Sequence, residues 1–365
     1  MSDVVPVVDG HNDLPWRLRE LGRDDLVGVD LAAGLDSTCT DLPRLRQGGV
    51  AAQFWSVYVP CSLMAEAAVT ATLEQIDLVH RMVAAYPADL MLCRTADDLS
   101  EAADQGRIGS LLGMEGGHSI NNSLGVLRMM HRLGVRYMTL THNQNVSWAD
   151  SATDDPAVGG LSDFGRDVVR EMNRIGMFVD LSHVSAEVMR DALELSSAPV
   201  IFSHSSARAV CSHPRNVPDD ILALLPDNDG VCMVTFVSAF VSQAWTDWYF
   251  EGLEEVRSRG GDPRDFADVD PVMEERRPTA PPAPTVADVA DHVDRVREVA
   301  GIDHVGVGGD FDGTKALPEG LTDVSGYPRL FEELRARGYA EADLRKVGSE
   351  NLVRAMRGME AAARR

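Results

Sequence analysis

Lysine is almost missing from this chain: Lys315 and Lys346 are the only two in 365 residues. Acidic residues outnumber basic ones and leave a net charge of −23. A chain so acidic offers no broad cationic face, which argues against nucleic acid or an anionic membrane as partner. Cysteine is sparse too, with five widely spaced residues and no CxxC pair. That pattern excludes a disulfide framework and favours free thiols in a reducing compartment. No apolar run is long enough to cross a bilayer. The first residues lack a basic-then-apolar leader, and Arg364-Arg365 stand where an apolar anchor would be. The expectation is a cytoplasmic protein with no membrane attachment.

What is present is a globular composition, 44% hydrophobic and 25% charged, in a chain large enough to bury a substantial core. Near-continuous apolar runs at 4–8, 50–59, 108–114, 135–141, 177–181, 200–203, 231–236 and 304–308 read as strands buried on both faces. Helical stripes separate them: Leu73, Ile76, Val79 and Val83; Phe164, Val168, Met172 and Ile175, stopped by Gly176; Val286, Val289, Val293 and Val296, closed by Gly301. Eight β-then-α units predict an α/β fold, a (β/α)8 TIM barrel, as a single domain over residues 1–365. The region of about 242–285, rich in aromatic and charged residues and ending in a proline-rich stretch, is read as an elaborated loop. A doubly wound sheet is the competing architecture, and it needs a glycine-rich phosphate loop that "DGHND" does not supply.

In a barrel, chemistry sits where strands end. Six predicted strands end in polar residues of metal-binding type: His11 and Asp13, Glu115, His142, His183, His204 and Asp310. Any one of them alone reads as a cap, a turn or a satisfied structural group. Converging on one barrel mouth, the histidines and carboxylates would repel or go unsatisfied without a cation. Nitrogen and carboxylate donors without thiolate suit zinc, with manganese or cobalt as substitutes. Five ligands exceed the needs of one ion with an open position, so two ions with a shared carboxylate fit better. Neither lysine stands at a strand end to act as a carbamylated bridge, which leaves Glu115. His11 and Asp13, two apart on an extended segment, point to one face and can grip one ion together. Asp310 directly follows its strand and is the better candidate to face the barrel axis, whereas Asp312 suits the turn.

The stretches "DGHNDLPW", "GMEGGHSI", "LTHNQN", "VDLSHVS", "FSHSSARAV", "RNVPDD" and "GGDFDG" resemble the renal (membrane) dipeptidase family, the M19 peptidases of the amidohydrolase superfamily. The resemblance runs from about Val4 to about Met356 and implies a binuclear zinc dipeptidase. It makes His11, Asp13 and Glu115 ligands of one zinc, and Glu115, His183 and His204 ligands of the other. His142 corresponds to a substrate-binding histidine near the scissile carbonyl, and Arg215 to the arginine that meets the substrate carboxylate. Asp310 matches the strand-8 aspartate of the superfamily. A homodimer is suggested by the resemblance alone.

These readings combine into one expected reaction. Hydroxide held between two Zn2+ ions attacks the peptide carbonyl of a dipeptide, L-Xaa-L-Xaa or L-Xaa-D-Xaa. His142 stabilises the oxyanion and Asp310 moves the proton to the leaving amine. The competing readings are a binuclear amidohydrolase acting on N-acyl amino acids, lactams or lactones, and a catalytically silent metal-binding scaffold.

Overall fold

The computed structural model describes residues 4–63 and 65–363. Residues 1–3, 64 and 364–365, and so both chain ends, lie outside the described residues. Among the described residues nine strands occur in order: β1 (Val7–Asn12), β2 (Val50–Ser56), β3 (Leu90–Leu92), β4 (Ile108–Glu115), β5 (Val135–Thr139), β6 (Phe178–Asp180), β7 (Ile201–Phe202), β8 (Val231–Val234) and β9 (Val305–Val307). Eight of them pair in the parallel order β1-β2-β4-β5-β6-β7-β8-β9. Past β9 the seam is stitched to β1: Asp310 N donates to His11 O (3.2 Å) and Asp13 N to Phe311 O (2.9 Å). The result is a nearly closed (β/α)8 barrel.

Two strands differ from the sequence expectation. β1 lies later than the apolar run at 4–8 and carries Asp9 and His11 inside the ladder, fully buried. Apolarity marked only its first half, because polar residues inside a strand give no periodic signal when they serve a site. β3 has no counterpart among the predicted runs. It pairs with Ile108–Ser110 of β4, while β5 takes the later residues of β4. Three residues are too few to register as a pattern.

Strand residues alternate between two buried bodies, as a period of two requires. Val7, Trp55, Leu112, Met138, Val179, Phe202 and Val234 belong to the large body shared with the surrounding helices. Their neighbours Val8, Phe54, Leu111, Tyr137, Phe178, Ile201 and Met233 fill the interior. Helices Ala96–Asp104 and Asn351–Ala363 contribute to this second body and are tied together by Ala96 N donating to Glu360 Oε1 (2.8 Å). They seal the floor, so the free end of the barrel is the one where β-strands terminate. Helix Asp163–Ile175 stops at Gly176, which takes φ 76° at its C-terminus.

The 242–285 region is helical rather than a loop. Helices Gln243–Ser258 and Phe266–Arg276 pack through a small core of Leu253, Val256, Val269 and Val272. Its aromatic and charged composition hid a narrow apolar stripe on each helix. No helix among the described residues is long and apolar enough to cross a membrane.

Candidate metal centre

Each candidate residue is delivered by a strand end. His11 stands in β1 with Nδ1 2.7 Å from the Tyr137 hydroxyl, which reaches across the barrel interior from β5. Tyr137 has room because Gly113, next to it on β4, lacks a side chain: a Cβ there would collide with the phenol ring. Asp13 is the residue before helix Leu14–Glu20, and Glu115 is the last residue of β4. His142 follows β5, His183 follows β6 and His204 follows β7. His183 and Asp310 hold left-handed backbones, with φ of 69° and 59°. Such strain in non-glycine residues is retained only where the surroundings impose it. Gly313 completes the floor of this corner, since a Cβ would strike the carboxylates of both Asp13 and Asp310.

The side chains converge on Glu115. Its Oε2 lies 3.4 Å from His11 Nε2, which is itself 3.2 Å from Asp13 Oδ2. Its Oε1 lies 3.0 Å from His183 Nε2, 3.4 Å from His204 Nε2 and 3.9 Å from His142 Nε2. The two carboxylate oxygens therefore serve different histidines. His11, Asp13 and Asp310 also bring donor atoms within 4.8 Å of one another.

This donor set fits a metal. Among the described residues His11 Nε2 and Asp13 Oδ1 are buried without a hydrogen-bond partner, a costly condition unless a cation satisfies them. His183 and His204 bring their Nε2 atoms within 2.9 Å of each other beside Glu115, close enough for both to face one cation. The electrostatics demand positive charge in the same place. Burial pushes Glu115 upward, but the histidines around it win and hold it well below the usual carboxylate range. Burial lowers His11, yet Tyr137, Glu115 and Asp13 outweigh it and keep that imidazole well above its ordinary value. His183 and His204 are held low by burial, hence neutral and able to ligate.

Arg215 lies in the same mouth. It is 2% exposed, its guanidinium sits 4.9 Å above the Phe240 ring, and its Nε and Nη1 have no hydrogen-bond partner among the described residues. Burial lowers its pKa to about 10, against the pull of Asp310 and Glu115.

A family model described as membrane dipeptidase (peptidase family M19) matches residues 1–365. The chain belongs to this family. Among M19-like relatives, mouse (Mus musculus) dipeptidase 3 is 44% identical over 360 residues, 97% of this chain and 64% of that protein. Rat (Rattus norvegicus) dipeptidase 3 is also 44% identical, with 65% of its length covered. The chain thus spans just under two thirds of the length of these curated relatives. A metallopeptidase from Rhodobacter sphaeroides, solved with a phosphinate mimic of the dipeptide L-Ala-D-Ala, is 27% identical. It superposes with a TM-score of 0.81 over 98% of this chain and 99% of that one. The M19 metallopeptidase dipeptidase AC is 28% identical, with the same TM-score and coverage.

Several residues at the M19 centre escaped the sequence reading. Ser56, ending β2, donates to Glu115 Oε2 (3.1 Å). Tyr137, behind His11, is another. Cys61 and Tyr58, from the segment after β2, flank His142: Cys61 Sγ lies 3.3 Å from His142 Nδ1 and the Tyr58 ring 4.9 Å from the imidazole. Phe266, from the helical excursion, stands edge-on to His142 at 5.8 Å. Strand-end position was an available signal for Ser56, whereas Phe266 comes from 124 residues away in sequence, with no local cue. Trp148 is buried against Phe164, and His292 is held by Ala207 N and Val241 O, so both are packing residues.

Asp312 is the other carboxylate of "GGDFDG", and it anchors a loop by accepting from Cys39 N (2.7 Å). Burial raises its pKa to about 6; the Cys39 bond opposes this and the Asp13 charge adds to it. With the folded value above the unfolded one, its contribution to stability is full below the ordinary carboxylate range and is lost as pH rises through about 6. Asp312→Asn keeps the acceptor without the charge. Its Tm relative to wild type is therefore expected to improve between pH 5 and pH 8, about the pKa in question. Parallel melting curves across that interval would reject this assignment.

Proposed function

We propose that the chain is a zinc-dependent dipeptidase holding two ions, which cleaves L-Xaa-L-Xaa and L-Xaa-D-Xaa dipeptides. The observation that carries this reading is Arg215: a buried guanidinium with unpaired N–H groups beside a metal-binding cluster asks for a carboxylate at a fixed distance from the reacting bond. A free α-carboxylate answers it with two parallel hydrogen bonds. A longer peptide would place its carboxylate elsewhere, which limits the substrate to two residues. The R. sphaeroides relative, bound to its L-Ala-D-Ala mimic, supports including D-residues at the second position.

His11, Asp13 and Glu115 would hold one ion, and Glu115, His183 and His204 the other. When bound, such a pair polarises a carbonyl and lowers the pKa of water toward neutrality. The chain's own residues do the rest. Burial lowers the His142 pKa to about 3, so its ring stays neutral. Burial also raises the Cys61 thiol to about 12, against the pull of the Gln144 and Asn143 N–H groups, so the thiol stays protonated. The protonated thiol is then free to donate to His142 Nδ1, leaving Nε2–H to donate to the carbonyl oxygen as negative charge develops there. Asp310 is raised by burial, with Asp13 and Glu115 adding to the effect. It accepts a proton from the attacking water and releases it to the departing amine. All five cysteines are unpaired, which fits the reducing cytoplasm we assign as its setting.

The test is turnover by zinc-loaded protein of L,L- and L,D-dipeptides beside dipeptide amides and N-acyl amino acids. Dipeptides with a free carboxylate are expected to be cleaved and their amides spared. Preferential cleavage of N-acyl amino acids would move the chain to the wider amidohydrolase reading, and inactivity on every dipeptide would overturn the proposal.

A further inference from the structure

His204 is held from behind by a chain of hydrogen bonds that starts at a carboxylate with no place in the proposed reaction. Asp180, the last residue of β6, is fully buried. Its Oδ1 accepts from two peptide groups, Ser203 N (2.8 Å) and Ser182 N (3.1 Å). Its Oδ2 accepts from the hydroxyls of Thr139 (2.6 Å) and Ser203 (2.6 Å). The Ser203 hydroxyl in turn lies 2.8 Å from His204 Nδ1. The His204 backbone is fixed as well, with its N–H donating to Ser182 Oγ (3.0 Å).

The direction of these bonds follows from counting hydrogens. A serine hydroxyl has one hydrogen to give. An ionised Asp180 only accepts, so that hydrogen goes to Oδ2 and the serine oxygen is left to accept from His204. Burial raises the Asp180 pKa above its ordinary value. The four donors converging on its oxygens, two of them peptide N–H groups that can only donate, oppose that rise and favour the ionised form, as does the buried Arg215 charge within electrostatic reach. His204 must then carry its hydrogen on Nδ1. We propose that Asp180 is a positioning residue: acting through Ser203, it holds His204 in the Nδ1–H tautomer, so that the Nε2 lone pair faces Glu115 and is ready to bind a metal ion. This rests on the assignment of His204 as a metal ligand, and it deepens that assignment by saying what prepares the ligand. Partners behind a metal-bound histidine generally fix its tautomer and raise its basicity.

Asp180→Asn makes an unusual test, because the substitution should reverse the chain rather than merely break it. The two peptide N–H groups at Oδ1 require the amide oxygen there. The amide nitrogen must therefore face Ser203 and donate to its hydroxyl oxygen. The serine hydrogen then turns to His204 Nδ1, and the imidazole proton moves to Nε2, where it obstructs the cation. Removing the hydroxyl as well, in Asp180→Asn/Ser203→Ala, takes away the group that enforces the wrong tautomer.

The experiment measures zinc affinity by chelator competition for wild type, Asp180→Asn, Ser203→Ala, the double variant and His204→Ala. Tautomers of the metal-free proteins are read from 1H–15N correlations of 15N-histidine-labelled samples, with His204→Ala identifying the signal. Asp180→Asn is expected to weaken zinc binding about a hundredfold and Ser203→Ala about tenfold. The double variant should bind more tightly than Asp180→Asn alone. His204 should be Nδ1–H in wild type and Nε2–H in Asp180→Asn. A merely structural role predicts that the two losses add and the tautomer stays put, and that result overturns the inference. Loss of zinc in His204→Ala with none in Asp180→Asn or Ser203→Ala overturns it alone. Full affinity in His204→Ala overturns the ligand assignment beneath it. Should Asp180→Asn fail to fold, Ser203→Ala decides: unchanged zinc affinity and tautomer there reject the proposal.

Discussion

Glu115→Gln is expected to strip the centre of metal and to lower kcat/KM for a dipeptide by about four orders of magnitude or more. The residue is nearly isosteric, so the fold should persist and the loss should be chemical. Among the described residues Glu115 is the one side chain whose two oxygens face separate sets of histidines, Oε2 toward His11 and Oε1 toward His183 and His204. Glutamine keeps one acceptor and replaces the other with an N–H donor. One of the two positions would then meet a hydrogen instead of a lone pair, and the centre would lose a full negative charge. Metal analysis of the purified variant, with activity measured before and after zinc addition, gives the check. Wild type treated with chelator should recover on adding zinc and the variant should not. A variant retaining both ions would remove the bridging role on which the proposed two-ion arrangement rests.

The second large effect concerns Arg215→Met. A buried, hydrogen-bonded charge pair with the substrate is worth about 2–5 kcal/mol on truncation, so kcat/KM for dipeptides should fall roughly thirtyfold to a few thousandfold. The opposite sign is expected for stability. The guanidinium is buried with Nε and Nη1 unpaired among the described residues, and burial lowers its pKa to about 10. Exchanging it for an apolar side chain of similar length removes that desolvation cost, and the Tm of the metal-free protein should rise by about 2 °C or more. Activity lost while stability is gained marks a residue kept for its ligand. Wild type should also discriminate strongly between a dipeptide and its amide, and the variant should not. Equal discrimination by both proteins would show that another group reads the carboxylate.

Much of this centre is legible in the amino-acid sequence. His11 and Asp13, Glu115, His183 and His204 each follow or end an apolar run, and a barrel gathers such ends whatever the loops do. The excursion at 243–276 shows the opposite case. Its helices bury only a thin stripe, so their pattern is weak, and the contact of Phe266 with His142 depends on how the excursion folds back over the mouth. Ser203 is similar in kind. In "FSHSS" it looks like one serine among three, and its distinction is a carboxylate 23 residues earlier.

By itself, then, the sequence determined the barrel, the end of it at which the candidate residues gather, and the identities of those residues, because strand periodicity and strand-end position are local properties of the chain. Only the tertiary structure decided which Glu115 oxygen meets which histidine, that Arg215 is buried with no ion pair among the described residues, and that Asp180 stands behind His204. Those facts depend on distances between segments far apart in sequence and on the burial that closing the barrel creates. Desolvation and hydrogen-bond direction arise only when such segments meet.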